Sequence, residues 1–381
     1  MPITGVTPFT ISVPDEDVED LRRRLRATRW PDGSPVGDWS QGVPLEYLRE
    51  LCRYWAEDYD WPARQARLNA VEQYTTDVHG LPIHFLHAPS AHPGALPLVL
   101  THGWPGSVAE FLAVLGPLTD PTAHGGDPRD TFTVVAPSLP GFGWSGKPTA
   151  PGWGIPRVAD AWAELMSRLG HERFGAQGGD LGSFVSANLA ARHPDRVVGI
   201  HLNMAIGAPP AGQTEFSERE ERANRAAERF RTVDSAYHMQ QRTRPQTLAY
   251  GLTDSPAAQC AWILEKFWSW SDCGGDPVDV LGADRILDHV ATYWFTGSAG
   301  SSARMYWEMA QDPASRAPTV DVPTGVSLFP HEILQPTEEW AGAHYRDLRM
   351  WREHDRGGHF AAMERPDVLV RDIQEFFRPL R

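Results

Sequence analysis

The residues best suited to chemistry lie in the segment GGDLGS, at positions 178–183. Asp180 follows a short apolar run at 174–177 and precedes a helical pattern at 181–192. A turn that passes abruptly from strand to helix needs glycine neighbours, because larger side chains would collide there. Such a turn exposes its central side chain as a nucleophile. On this segment alone, the alternative is that Asp180 only caps the following helix.

A second loop favours the catalytic interpretation. The segment HGWPGS (102–107) follows another predicted strand, the apolar run 98–101. The backbone N–H groups of Trp104 and Leu181 would then stabilise one developing oxyanion. An ordinary strand-to-helix loop is the alternative for HGWPGS by itself. The two loops together, in this order, predict an α/β-hydrolase fold.

A histidine and an acid follow the nucleophile in the chain order that this fold uses. His359 lies in RGGHF (356–360), after the last predicted strand, and is the predicted base. Glu332 comes just after the preceding predicted strand and is the predicted acid partner. Asp355 is the rival acid, but it lies so close to His359 along the chain that it would have to reach back across a tight loop.

The aspartate at the turn narrows the reaction. A carboxylate that attacks a saturated carbon forms an ester, whereas attack on an ester or amide carbonyl would give a labile anhydride. Asp180 therefore indicates epoxides or alkyl halides as substrates. In the second step His359 would deprotonate a water that attacks the ester, while Glu332 stabilises the imidazolium.

Tyrosines separate these two substrate classes. Opening an epoxide expels an alkoxide, which needs an acid or a strong hydrogen-bond donor, whereas a halide needs only N–H donors. The candidate donors lie in the part of the chain that interrupts the strand–helix alternation: Tyr237, Tyr250, Tyr293 and Tyr306. Each of them is otherwise an ordinary core residue.

The hydropathy pattern predicts how these residues are positioned. Apolar strands alternate with helices from Leu96 to about Met204, which favours a parallel sheet covered on both faces. The alternation lapses and returns at 325–329, so we expect one α/β domain with a helical insertion and an N-terminal extension. The predicted division is 1–90 for the N-terminal domain, 91–204 and 319–381 for the core, and 205–318 for the insertion.

Composition excludes several other classes of protein. The net charge of −14 disfavours nucleic acid and anionic membranes as partners. We see no signal peptide and no apolar run long enough to span a bilayer, and therefore expect a soluble, cytoplasmic protein. The spacing of the three cysteines predicts neither a disulfide framework nor a metal site, so we expect no metal and no cofactor.

These motifs resemble the epoxide hydrolases of the microsomal and juvenile-hormone branch. The resemblance covers nearly the whole chain. Besides HGWPGS and GGDLGS, it includes VPDEDVEDLRRRLRATRWPD near the N-terminus, PSLPGFGWS (137–145), ILEKF (263–267), PTGVSLFPHEIL (323–334) and RGGHFAAME (356–364).

The resemblance implies a role for each matching residue. Asp180 would be the nucleophile, His359 the base and Glu332 its acid partner. Tyr237 and Tyr306 match the two tyrosines that polarise the epoxide in this family, so the insertion should form a lid over Asp180. Two features depart from the family: no membrane anchor precedes the N-terminal domain, and Leu181 stands where we expect tryptophan, which changes the pocket wall.

We therefore expect an epoxide hydrolase (EC 3.3.2) that makes vicinal diols from small-molecule aryl or bulky epoxides. Trp262 and Phe267 are candidate pocket residues, with packing in the lid core as the alternative. The lack of an anchor favours secondary metabolism, such as antibiotic biosynthesis, over detoxification, and the family suggests a homodimer. A haloalkane or haloacid dehalogenase and a non-catalytic binder of hydrophobic ligands are the alternatives. We expect the N-terminal domain to brace the lid.

Overall fold

Strands of the described residues form one mixed sheet. The computed structural model describes residues 5–315 and 318–381. In chain order the strands are β1 (Val6–Phe9), β2 (Gln73–Val78), β3 (Leu81–Ala88), β4 (Leu96–Thr101), β5 (Phe132–Pro137), β6 (Phe174–Gly178), β7 (Val197–Leu202), β8 (Thr324–Leu328) and β9 (Leu348–Glu353). Their order across the sheet is β1-β2-β3-β5-β4-β6-β7-β8-β9. The first three strands and β5 pair antiparallel, and the rest pair parallel.

Helices flank the sheet and fill the long connection between β7 and β8. They are α1 (Asp15–Arg26), α2 (Leu45–Glu57), α3 (Trp61–Asn69), α4 (Leu112–Thr119), α5 (Ile155–Arg168), α6 (Leu181–Arg192), α7 (Glu218–Arg229), α8 (Ala236–Thr243), α9 (Pro245–Asp254), α10 (Pro256–Trp270), α11 (Pro277–Leu281), α12 (Ala283–Thr296), α13 (Ala299–Gln311), α14 (Glu338–Gly342), α15 (Ala361–Glu364) and α16 (Pro366–Phe377). Within the described ranges, none of them combines the length and the apolar character needed to cross a membrane.

The core lies on both faces of the parallel strands. Successive side chains of β4 point to opposite faces, so Leu98 and Leu100 join one apolar cluster and Val99 joins the other. Helices α4 and α16 cover the first face, and α5 and α6 cover the second. Every residue of β6, β7 and β8 is therefore buried, as expected for parallel strands between two helical layers.

The predicted N-terminal domain shares its sheet with the rest of the chain. β3 pairs with β5, so the predicted boundary at residue 90 falls between two strands of the same sheet. Helices α1 and α2 contact α10 of the insertion. An ion pair joins α3 to α12, where Arg64 Nη2 lies 2.5 Å from Asp288 Oδ2, and Tyr59 Oη donates to Asp288 Oδ1 at 2.9 Å. These contacts are consistent with the expected bracing of the insertion.

Helices α7 to α13 form the helical insertion between β7 and β8. The sequence predicts a charged helix near 217–231 and aromatic-rich helices near 257–270 and 286–295, which correspond to α7, α10 and α12. It does not predict α8, α9, α11 and α13. In α13 the buried residues include a run of small ones from Ala299 to Ala303, as well as Met305 and Tyr306. Because the buried surface wraps around much of this helix, its sequence lacks the apolar stripe that marks a surface helix.

The loops that carry the predicted site residues leave the carboxyl ends of neighbouring strands. HGWPGS follows β4, the GGDLGS turn joins β6 to α6, and the segments with Glu332 and His359 follow β8 and β9. Loops that follow adjacent parallel strands meet at one edge of the sheet. β4 and β6 are direct neighbours, with Thr101 paired to Gly178 at the ends of the two strands.

We predict that the close contact between these two loops tolerates no added methyl group. A Cβ at Gly182 would overlap the Thr101 carbonyl group. Gly182→Ala should lower the free energy of unfolding by about 1–3 kcal/mol, measured by urea denaturation. Gly251→Ala is the matched control, because a Cβ added to that helical glycine would meet no atom within 4 Å. It should leave stability unchanged or raise it by up to about 1 kcal/mol. Equal effects at the two sites would contradict the prediction.

Candidate active site

Asp180 occupies a strained turn. Its backbone has φ 50° and ψ −126°, a region that side chains with a Cβ rarely adopt. The turn is tight because a Cβ at Gly178 would overlap the Gly182 carbonyl group, and a Cβ at Gly103 would overlap the Asp180 side chain. These glycines therefore let the Asp180 carboxylate lie directly against the HGWPGS loop.

The two carboxylate oxygens of Asp180 have different neighbours. The backbone N–H of Trp104 donates to Oδ1 at 2.8 Å. Oδ2 faces the His359 ring, with 3.5 Å between Oδ2 and Nε2. Leu181, the other predicted oxyanion donor, is the first residue of α6. Its N–H belongs to the helix turn that has no carbonyl partner within the helix, so it is free to bind an anion.

His359 lies between Asp180 and Glu332. Its Nδ1 is 2.7 Å from Glu332 Oε1, and its backbone N–H donates to the Trp270 carbonyl at 2.9 Å. The Trp270 ring packs against the imidazole with 4.9 Å between centroids. The bond at Nδ1 leaves Nε2 directed at Asp180, which is the orientation that a base acting at this carboxyl group needs.

The structure places Glu332, and not Asp355, next to His359. A short β-bridge between His331 and Gly358 aligns the two loops that carry the pair. The Ile333 N–H also donates to Glu332 Oε1, at 2.7 Å, which helps to fix the carboxylate. Asp355 is exposed.

The two carboxylates control the charge of His359. Burial by itself lowers the pKa of the imidazole, but the charges and hydrogen bonds of Glu332 and Asp180 outweigh it. The His359 pKa is therefore raised well above its usual value. This shift favours the imidazolium form of His359.

Tyr237 and Tyr306 come from two helices of the insertion that pack on each other, α8 and α13. The Tyr237 ring stacks on Trp104, with 4.9 Å between centroids and 10° between planes. The Tyr306 ring meets Trp104 edge-on at 6.3 Å. Both side chains are buried, and the Tyr306 hydroxyl has no hydrogen-bond partner within the described ranges. These two phenols lie beside the loop that binds Asp180.

The other two tyrosines of the insertion have different surroundings. Tyr250 is 71% exposed. The Tyr293 hydroxyl donates to the Gly106 carbonyl at 3.0 Å and so is already satisfied within the HGWPGS loop. Neither is placed to polarise an epoxide at Asp180.

Burial keeps the Tyr237 and Tyr306 hydroxyls protonated. It raises the pKa of both phenols well above the usual value, and the negative charge of Asp180 raises it further. Each phenol is therefore protonated at neutral pH and can donate a hydrogen bond. A donor of this kind suits an oxygen that gains negative charge.

The two predicted pocket residues lie elsewhere. Trp262 lines an open groove between the N-terminal segment and α10, and its indole N–H donates to Gln241 at 3.1 Å. Phe267 is fully buried and packs on Phe360 at 4.4 Å between centroids. Neither side chain lines the cavity that borders Asp180, and the contacts of both are packing contacts, as in the alternative interpretation.

Sequence patterns missed several polar residues around the nucleophile. Glu110, Gln177 and Asn203 line the small cavity that borders Asp180 and His359. Gln177 Nε2 donates to Asn203 Oδ1 at 2.8 Å, and Asn203 Nδ2 lies 3.4 Å from the His359 carbonyl oxygen. Asn203 follows the buried strand β7, and a polar residue at the carboxyl end of such a strand was a usable signal.

Residues 5–315 and 318–381 contain no group of three or more His, Cys, Asp or Glu side chains arranged to hold a metal ion. His84, a buried residue of β3, is bound on both ring nitrogens. Its Nδ1 lies 2.9 Å from Ser138 Oγ and its Nε2 lies 2.8 Å from Gln73 Oε1. This histidine is a satisfied core residue.

Comparison with known families and structures agrees with this geometry. A family model described as "Epoxide hydrolase N terminus" matches residues 6–111, and one described as "alpha/beta hydrolase fold" matches residues 97–250. A protein of Stigmatella aurantiaca named "Putative epoxide hydrolase" is 51% identical over 99% of this chain and 86% of its own length. "Epoxide hydrolase 1" of Oryctolagus cuniculus is 35% identical over 98% of this chain and 88% of its own length.

The chain belongs to the epoxide hydrolase family. Solved structures lead to the same family. The epoxide hydrolase of Aspergillus niger superposes with a TM-score of 0.88 at 34% identity, over 98% of this chain and 96% of that one. The juvenile hormone epoxide hydrolase of Bombyx mori superposes with a TM-score of 0.90 at 30% identity, over 99% and 95% of the two chains. The predictions of the family, of the α/β-hydrolase fold and of an epoxide hydrolase are confirmed.

The position of Glu332 predicts how His359 titrates. In Glu332→Gln the attraction of one carboxylate for the imidazolium is lost while the burial of the ring remains, so the His359 pKa should fall. The pKa can be measured by NMR titration of the histidine ring nitrogens. Asp355→Asn is the matched control and should leave the titration of His359 unchanged. A fall of the His359 pKa in Asp355→Asn, with none in Glu332→Gln, would mean that Asp355 and not Glu332 is the acid partner.

Proposed function

We propose that this epoxide hydrolase makes vicinal diols through an ester on Asp180. The observation that carries the proposal is the unequal environment of the two Asp180 oxygens. Oδ1 is held by the Trp104 N–H at 2.8 Å, and Oδ2 is left facing the interior, 3.5 Å from His359 Nε2. Oδ2 is therefore the oxygen that attacks, while Oδ1 becomes the ester carbonyl oxygen in the oxyanion site.

Ring opening needs a proton or a strong hydrogen bond on the epoxide oxygen. Tyr237 and Tyr306 supply it, because both hydroxyls stay protonated and both rings pack against Trp104. The new bond joins Asp180 Oδ2 to an epoxide carbon. The bond that breaks joins that carbon to the ring oxygen, whose electron pair then takes up a proton.

The charge of His359 changes between the two steps. Ester formation removes the Asp180 charge, which is one of the two that hold a proton on the imidazole. The His359 pKa then falls, and the histidine can release a proton as the ring oxygen needs one. Ester formation removes the negative charge of Asp180, and transfer of a proton from His359 to the ring oxygen removes the positive charge of the imidazolium. The net charge of the protein therefore does not change in this step. The base form of His359 thus appears only once there is an ester to hydrolyse.

Hydrolysis of the ester regenerates Asp180. His359 Nε2 takes a proton from a water, and the resulting hydroxide adds to the ester carbon. The Trp104 and Leu181 N–H groups stabilise the negative charge on Oδ1, and Glu332 stabilises the imidazolium through its 2.7 Å bond to Nδ1. When the tetrahedral intermediate collapses, the diol leaves with the proton from His359. Asp180 is then a carboxylic acid, and it returns to the carboxylate by passing its proton to His359 Nε2, which lies 3.5 Å from Oδ2.

The walls around Asp180 favour aryl or bulky apolar substituents. Trp104, Tyr237, Trp270 and Tyr306 form a connected set of rings, with Tyr237 lying 5.2 Å from Trp270 and 5.8 Å from Tyr306. Aromatic rings bind other flat apolar groups through stacked and edge-on contacts. The role in secondary metabolism, the homodimer and the division into four segments stay predictions.

Isotope labelling tests the ester directly. In a single turnover of styrene oxide by excess enzyme in oxygen-18 water, mass spectrometry should find the label in Asp180. The new oxygen of the first-formed diol should carry none, because it comes from Asp180. In the Asp180→Asn variant no diol should form in this first turnover. A labelled diol with unlabelled Asp180 would overturn the mechanism, and halide release from chloroalkanes without any diol would favour a dehalogenase.

Substitution of the tyrosines tests the ring-opening step. Tyr237→Phe and Tyr306→Phe should each slow formation of the ester by about tenfold or more, and the double variant by about 10²–10⁴-fold, because the donor to the alkoxide is lost. The rate can be followed by stopped-flow tryptophan fluorescence. Tyr250→Phe is the matched control, since that hydroxyl lies on the surface, and it should react at the parental rate. Parental rates in the double variant would contradict the assignment.

A further inference from the structure

Glu110 is an acid at the nucleophile that the mechanism above does not use. It lies in the short 3₁₀ turn Val108–Phe111, directly after HGWPGS. Its carboxyl group lies beneath the loop, since a Cβ at Gly106 would lie 2.5 Å from Glu110 Oε2. Because Gly106 has no side chain, the Glu110 carboxyl group has room to lie directly against it.

The carboxyl group faces a cavity the size of a water. The cavity has a volume of about 20 Å³, and its wall includes Glu110, Asp180 and His359. About 10–15 Å³ is enough to hold one water molecule, provided that it has two or more polar partners. The cavity beside Asp180 and His359 can therefore hold the water that attacks the ester.

Glu110 is free to bind that water. Burial raises its pKa to about 8; the charge of His359 opposes this increase and the charge of Asp180 adds to it. Within the described ranges no hydrogen bond contributes to this shift. At neutral pH the carboxyl group is therefore uncharged, and its carbonyl oxygen remains available as an acceptor. A charged group here would repel the electrons that gather on Asp180 during hydrolysis.

A second cavity lies on the other side of Glu110. It has a volume of about 30 Å³ and is bordered by residues of α3 and α12, among them Arg67 and Asp288. Arg67 and Ala113, which also lines it, are exposed. Glu110 thus stands between a water-sized space at the catalytic pair and one that reaches the protein surface.

An attacking water needs two acceptors to be held in one orientation. His359 Nε2 takes one hydrogen, which becomes the transferred proton. The other hydrogen stays on the oxygen throughout, and an acceptor that binds it directs the oxygen lone pair at the ester carbon. Effective attack depends on such alignment, and misplacement by about 1 Å costs on the order of 100-fold in rate.

We propose that the carbonyl oxygen of Glu110 accepts this second hydrogen and holds the hydrolytic water against the Asp180 ester. Glu110 exchanges no proton in the step: the oxygen–carbon bond forms, one proton passes to His359, and Glu110 stays a neutral carboxyl group. The inference rests on the proposed ester mechanism. It assigns Glu110 to the hydrolytic half-reaction alone.

Two substitutions separate the acceptor from the rest of the side chain. Glu110→Leu removes it at nearly constant volume, and Glu110→Gln keeps a neutral carbonyl acceptor. Stopped-flow fluorescence and acid quench with mass spectrometry of the Asp180 peptide measure ester formation and ester hydrolysis separately. Glu110→Leu should form the ester within about twofold of the parental rate and hydrolyse it about tenfold or more slowly. Its kcat and KM should fall together, so that kcat/KM is unchanged.

The controls distinguish this role from a structural one. Glu110→Gln should hydrolyse the ester at close to the parental rate, and Glu172→Leu, at the opposite end of β6 from Asp180, should match the parent in both steps. If the leucine variant does not fold, Glu110→Met replaces it. Parental hydrolysis in the apolar variant, equal losses in both half-reactions, or a glutamine variant as slow as leucine would each overturn the inference. Absence of any ester in the parent would instead overturn the proposed function.

Discussion

The active site depends on one close contact, between the turn at Asp180 and the end of strand β4. Gly182 lies against the Thr101 carbonyl group, and Gly103 lies against the Asp180 side chain, with no room for a Cβ at either glycine. This contact brings the Trp104 N–H to 2.8 Å from Asp180 Oδ1. It also forces Asp180 into a backbone conformation with φ 50°. The packing of β4, β6 and α6 keeps Asp180 in this strained conformation.

Electrostatics gives the site its order of events. His359 lies between Glu332 and Asp180, and the two carboxylates raise its pKa against the effect of burial. In the proposed mechanism only Asp180 loses its charge when the ester forms, so the imidazolium keeps the stabilisation by Glu332 and loses that by Asp180. The same buried environment keeps the phenols and the Glu110 carboxyl group neutral at pH 7. The same low-dielectric pocket therefore contains hydrogen-bond donors, hydrogen-bond acceptors and one group, Asp180, whose charge changes in the proposed mechanism.

The N-terminal region reaches the catalytic loop through one helix of the insertion. Asp288 of α12 binds Arg64 and Tyr59 from the N-terminal region. The next residue of the helix, His289, has its Nδ1 at 2.9 Å from Ser107 Oγ of the HGWPGS loop. One turn further on, Tyr293 donates to the Gly106 carbonyl. α12 is thus bonded to the N-terminal region through Asp288 and to the HGWPGS loop through His289 and Tyr293. Through this helix, the N-terminal region helps to hold the loop that binds Asp180.

Local patterns predicted most of the parallel core, because apolar strands and the glycine turns between them are marked by short segments of sequence. The same patterns missed β1 and the helices α3, α4, α8, α9, α11, α13, α14 and α15. β1 is a short edge strand whose residues are all at least partly exposed, and α13 is buried around much of its circumference, so neither has a periodicity that separates an inner face from an outer one. The helix that carries Tyr306 was therefore not predicted, and only the family resemblance assigned a role to Tyr306 itself.

By itself, the sequence predicted the candidate reacting groups: an aspartate in a glycine turn, a histidine after the last strand, and an acid after the strand before it. Glycines at a strained turn and the order of loops along the chain are local properties, so they can be read without a fold. Only the tertiary structure decided that Glu332 rather than Asp355 binds His359, that Trp262 and Phe267 do not line the cavity at Asp180, and that Glu110 does. Those relations join residues far apart in the chain, and they are set by how helices and loops pack on the sheet.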